Sequence, residues 1–70
     1  MPLIIAPINK ELKILKILLD DKTKKRLESL GIIINSKIVK ISQNGRSSIC
    51  VVKDVRLALD ENITSKIFVA

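Results

Sequence analysis

Asp21-Lys22-Thr23-Lys24-Lys25-Arg26-Leu27-Glu28-Ser29-Leu30-Gly31-Ile32 is the one stretch of the chain that carries a complete set of helix signals. Asp20 or Asp21 can cap the free amides of a first turn, and Gly31 can adopt the left-handed conformation that stops a helix after Leu30. At 100° per residue, Thr23, Leu27 and Leu30 fall on one face and Lys22, Lys25 and Ser29 on the other, with Lys24 and Arg26 on the flanks. One side is built to pack and the other is basic. The residues before and after are β-branched strand material, so a helix over about 22–30 is predicted as a lid, held by Leu27 and Leu30, on an open end or edge of a small β structure.

Working outward, Glu11 to Leu19 keeps an apolar period of two through Leu12, Ile14, Ile17 and Leu19, with a one-residue slip near Leu15 and Lys16. A β-bulge accounts for the slip, and bulges let small sheets curl. Leu3-Ile4-Ile5-Ala6, bracketed by Pro2 and Pro7, is either a short terminal strand or a plug over the barrel mouth. After Gly31, Asn35-Ser36 is a turn pair leading into a strand at Lys37–Gln43. Asn44-Gly45 between two β-branched runs predicts a tight hairpin to a strand ending at Lys53, since both residues tolerate positive φ. Asp54 turns the chain into Val55–Leu59, where Val55, Leu57 and Leu59 share a face. Asp60 caps a helical turn near 61–66, and Ile67–Val69 is a last strand. The fold class is mainly β: a small SH3-like barrel of about five strands, with one short helix and one helical turn.

Seventy residues suit a single domain, 1–70, that buries only about 60% of its unfolded surface, which leaves little room for a large substrate pocket. Ile, Leu and Val supply 27 of the 70 residues, enough for a dense branched core and against disorder. No apolar run approaches the roughly 18 residues of a membrane span, and Met1–Ala6 lacks signal-peptide features. The expectation is a protein of the cytoplasm, not embedded in a membrane. The net charge of +6 attracts acidic proteins, nucleic acids and anionic membranes alike. Phe68 is the one aromatic residue, which counts against a nucleic-acid binder that stacks bases.

The chain contains no His, so a Ser-His-Asp triad, a Cys-His pair and a His-rich zinc site are all excluded. Cys50 is the one cysteine; among Ile49, Val51 and Val52 it reads as a small buried hydrophobe rather than a metal ligand. The pairs Asp20-Asp21 and Asp60-Glu61 begin helical segments, so capping accounts for them better than acid/base work or cation binding. Gly31 and Gly45 begin no phosphate-cradling motif. No catalytic residue, cofactor, small-molecule substrate or metal site is therefore expected. Two surfaces remain as partner-binding candidates. One is the basic run Lys22, Lys24, Lys25 and Arg26, whose cations oppose the helix dipole in its first turn by a few tenths of a kcal/mol each. Its plainer explanation is a solvated face that keeps an apolar small protein soluble. The other is Ile49 and Val51, which face outward if Cys50 and Val52 face inward.

Leu27-Glu28-Ser29-Leu30-Gly31-Ile32, a turn, a hairpin, then Val55-Arg56-Leu57-Ala58-Leu59-Asp60, a helical turn and Ile67-Phe68-Val69 together resemble the FeoA family. The resemblance runs from about Glu11 to Val69. It implies a small cytosolic SH3-like accessory protein, not an enzyme, that serves bacterial ferrous iron transport by docking on the G domain of a FeoB-like membrane GTPase. A related domain ends the DtxR-type repressors, so the resemblance also carries an alternative, a transition-metal-dependent regulatory domain; a small-barrel nucleic-acid binder is the third reading. The chain departs from the family where Ile34-Asn35 replaces a Pro-Gly, where Gln43-Asn44-Gly45-Arg46 replaces a longer loop, and where Asp54 replaces a Gly.

Overall fold

The computed structural model describes residues 1–70. Its elements are a 3-10 turn (Leu3–Ile5), β1 (Glu11–Ile17), α1 (Asp21–Ser29), β2 (Lys37–Asn44), β3 (Ser47–Val52), β4 (Val55–Asp60), α2 (Glu61–Thr64) and β5 (Ile67–Val69). The five strands form one antiparallel sheet in the order β4-β3-β2-β1-β5. Because β5 returns to pair with β1 and not with β4, the hydrogen-bonded ladder is open between β4 and β5. α2 connects the two across that gap. No helix is long and apolar enough to cross a membrane.

Two bulges bend this sheet. In β1 the register shifts between Ile14 and Lys16, where the sequence period slips at Leu15. On its other side β1 continues the β2 ladder into the preceding loop: Asn35 N donates to Ile14 O at 2.7 Å and Ile14 N to Ser36 O at 2.9 Å. In β2 the shift lies between Lys40 and Ser42, with Ile41 as the extra residue. The bends turn the inner faces of all five strands toward one core of Leu12, Ile14, Ile17, Ile38, Cys50, Val52, Leu59, Ile67 and Val69. Leu3 and Ala6 close it from the N-terminal side, so Leu3–Ala6 plugs the core and is not a strand.

The turns are sorted by backbone sign. Asn44 pairs with Ser47, so the central residues of the β2–β3 hairpin are Gly45 and Arg46, one step beyond the expected Asn44-Gly45 pair. Gly45 has φ +57 and Arg46 is not in the left-handed region, the pattern of a II′ turn, in which only the first central residue needs positive φ. The I′-like turn is the next one. Val52 pairs with Val55, and Lys53 and Asp54 have φ +49 and +65. Asn35, at φ +75, is also left-handed, a conformation that Asn tolerates, as the Gly it replaces would.

Candidate docking surfaces

Asp20 sets the start of α1: its Oδ2 accepts from Thr23 N at 3.2 Å. The hydrogen bonding from Thr23 holds the Asp20 carboxyl below its ordinary pKa. Gly31 sets the stop. At φ +96 it lets its own amide bond back to Glu28 O at 3.0 Å while Ile32 N bonds to Leu27 O at 3.0 Å. A Cβ on Gly31 would also stand 3.2 Å from Val52 Cγ1, so this position needs glycine for close approach as well as for sign.

Leu27 is the anchor of α1, at 4% exposure, and it is the helix's sole buried residue. Leu30 is not the second anchor expected of it. It is 42% exposed, because the helix ends at Ser29 and Leu30 occupies the C-cap, where the chain is already leaving the helical path toward Gly31. Ile32 takes the inner place instead, at 0% exposure.

On the other side of α1, Lys22, Lys25 and Arg26 are exposed and Lys24 is half-buried. Lys22, Thr23 and Arg26 line a shallow depression of about 380 Å³. Arg26 lies in the last turn, where a cation suits the dipole; opposition to the dipole is therefore confined to the lysines near the helix start. The protein's two ion pairs are Glu11–Lys37 at 3.6 Å and Glu61–Arg46 at 3.5 Å. Neither involves α1, so its four cations have no carboxylate partners; Lys22, Lys25 and Arg26 share the exposed face, and Lys24 lies on the flank toward Leu27.

The second candidate surface lies on the sheet. Cys50 and Val52 are fully buried, and Ile49 and Val51 point outward but are half-buried. Val51 joins Val39, Glu11, Lys37, Lys53 and Asp54 around a groove of about 440 Å³, which Ile49 does not line. Ile49 and Val51 stay neighbours on the outer face of β3, only Val51 lines the groove, and neither lines the α1 depression. Cys50 lies in the core, where burial pushes its thiol up to about 11, with the Lys40 ammonium acting the other way. No three His, Cys, Asp or Glu side chains are grouped to hold a metal ion.

Two features have little trace in the sequence. Lys40 is buried at 3% exposure, its Nζ donating to Ile4 O at 2.9 Å and to Gln43 Oε1 at 3.3 Å, while Ser48 Oγ donates to that same Gln43 oxygen at 2.7 Å. A lysine in a strand gives no hint of this; its partners are a distant carbonyl and an amide brought close by the bulge. The other feature is the exposure of Leu15, Leu18, Leu30, Ile33 and Ile34. The run Ile32-Ile33-Ile34 held the signal, since three successive side chains cannot all face one core.

Five antiparallel strands in one bent sheet with a short helix make this a small SH3-like β fold. The FeoA domain profile matches residues 1–70, and the chain belongs to the FeoA family. That membership supports a role in ferrous iron transport. Among solved structures it is similar to a crystal structure described as an iron uptake regulatory protein (FeoA), with a TM-score of 0.88 and 20% identity over 99% of this chain and 93% of that one. At that identity the likeness speaks for the fold. No curated protein sequence matches the chain.

Proposed function

We infer that this chain is a cytosolic accessory protein of ferrous iron transport that docks on an acidic surface of a FeoB-like membrane GTPase, acting by binding and not by catalysis. The observation that carries the docking face is the exposed strip of Lys22, Lys25 and Arg26 without a carboxylate partner, with Lys24 on its flank. Near the helix start these lysines gain nothing from the dipole, and an opposing negative surface relieves that cost while speeding encounter. Family membership supports the choice of partner. Charge and shape, not a metal ion, are what this chain brings to the contact, because the one thiol is buried and the carboxylates Asp20 and Asp60 are engaged as helix caps.

The test is a titration of the purified G domain of the GTPase with this protein at low ionic strength, followed calorimetrically. Saturable one-to-one binding is expected. Absence of binding to the G domain, with both proteins folded, overturns the partner assignment.

A further inference from the structure

The two edges of the sheet are finished differently. The outer side of β5 is occupied: Pro2 bridges to Phe68, and Val69 N donates to Met1 O at 2.8 Å. On the outer side of β4 no strand pairs, and α2 leaves from its end at Asp60. No backbone hydrogen bond outside the regular elements involves any residue from Val55 to Leu59. β4 pairs with β3 in unbroken register over all six residues, and it contains no proline, no bulge and no inward-pointing charge. These are among the devices that ordinarily blunt an edge strand; the charges that β4 carries, Arg56 and Asp60, are exposed.

The phase of this free edge follows from the hairpin. In a two-residue turn the flanking pair, here Val52 and Val55, exchanges backbone bonds, so alternate residues Val55, Leu57 and Leu59 face β3. Arg56 and Ala58 therefore present both backbone groups outward, and Asp60 presents its amide, since its carbonyl accepts from Thr64 Oγ1 at 3.2 Å where α2 begins. Arg56 and Asp60 lie on one face of the strand, with the small side chain of Ala58 midway between them, and all three are exposed. Asp60 Oδ1 caps α2 through Asn62 N at 3.0 Å and Ile63 N at 3.3 Å, which leaves Oδ2 free. Arg56 has no carboxylate partner within the chain.

The geometry points to a second copy of this chain as the occupant of the β4 edge, joined antiparallel about a two-fold axis through Ala58. One register satisfies charge and hydrogen bonding together. Ala58 meets Ala58 of the partner subunit, and Arg56 meets Asp60 of the partner subunit, an opposed pair that the two-fold repeats. The Ala58 amide and carbonyl exchange bonds across the axis, and the Asp60 amide donates to the partner's Arg56 carbonyl. Leu57 comes opposite the partner's Leu59, so the half-buried leucine is covered. Sliding the strands to pair Arg56 with its own counterpart sets like charges against each other, which selects this register over that one. The result is a continuous ten-strand sheet, twice the five strands of one copy.

The experiment is sedimentation of the parent, Ala58→Pro and Arg56→Glu from micromolar to millimolar concentration, with circular dichroism as the control for folding. Proline is compatible with an edge position whose N–H faces solvent, so Ala58→Pro keeps the monomer and removes both bonds on the axis. Arg56→Glu faces Asp60 with a like charge and weakens self-association by about tenfold or more. The parent is expected to reach twice the monomer mass, with the Ala58 and Asp60 amides exchanging more slowly with solvent as concentration rises. A parent that stays monomeric at millimolar concentration overturns the proposal. So does a dimer that persists in folded Ala58→Pro, or, should that variant fail to fold, one whose affinity is unchanged in Arg56→Glu.

Discussion

In β3 every second residue, Ser48, Cys50 and Val52, is buried, whereas in the nine residues of α1 only Leu27 is. The strand is held on both sides, by β2 and β4, and its polar Ser48 finds a partner in Gln43. α1 is held at one side chain and at its two ends, by the Asp20 cap and the Gly31 stop. The difference separates two tasks in one small chain. The sheet holds the core together, and the helix carries charge outward on a minimal attachment, so most of its surface is free for a partner.

The sharpest way to break that contrast is at the two leucines of α1. Leu27→Ala empties a buried site and costs about 2 to 5 kcal/mol, a large share of the stability of a protein this size, whereas Leu30→Ala changes it by about 0.5 kcal/mol or less. Urea denaturation of the pair measures both. Equal losses would mean that α1 is held by a broad face after all.

Gly31→Ala comes next. It places a Cβ 3.2 Å from Val52 Cγ1 on a backbone with φ +96, at a cost of about 1 to 2 kcal/mol for the left-handed conformation alone. The drop in thermal midpoint should exceed that of Gly45→Ala, where no atom lies within 4 Å of the new methyl.

The core side of the comparison is probed by Cys50. With its thiol raised to about 11, it stays protonated at pH 8 and is shielded in the sheet. Iodoacetamide should label the folded protein far more slowly than the urea-unfolded chain, and rapid labelling of the folded form would place Cys50 outside the core.

The smallest effect is expected at the helix cap. The Asp20 carboxyl sits below its ordinary value of 3.8 in the folded state, so its contribution is complete above that pH and disappears as pH falls through the lower folded value. Asp20→Ala should lower the thermal midpoint slightly at pH 7 and by less at pH 2, with the gap closing below about pH 4. A gap that widens on acidification would contradict the cap.

Local signals in the sequence match the structure where one residue type has one conformational use: the slip at Leu15, the left-handed Gly31 and the caps at Asp20 and Asp60. They do not suffice where position depends on a neighbouring element. Leu30 shares a helical face with Leu27 on a wheel, but the helix ends before the wheel applies. The hairpin turn moved one residue, to Gly45-Arg46, because strand pairing set its register and the intrinsic preference of Asn-Gly did not. Burial of Lys40 depends on Ile4 and Gln43, one far away in the chain and the other across a bulge. As for the candidate surfaces, charge on α1 was legible from helical spacing, while the groove beside Val51 is lined by residues of β1, β2 and the loops at 35–36 and 53–54, which only the fold brings together.

The central claim is that the α1 strip is a docking face, and association kinetics test it most directly. Binding of the parent and of Lys22→Glu/Lys25→Glu to the GTPase G domain is followed by stopped flow at low and at moderate ionic strength. Exposed cations near the start of a helix can be replaced by acids without loss of fold, and the exchange even suits the dipole. The parent's association rate should fall steeply with added salt, and the double variant should associate several-fold more slowly with a flatter salt dependence. Equal rates and equal salt dependence for the two folded proteins would contradict the account.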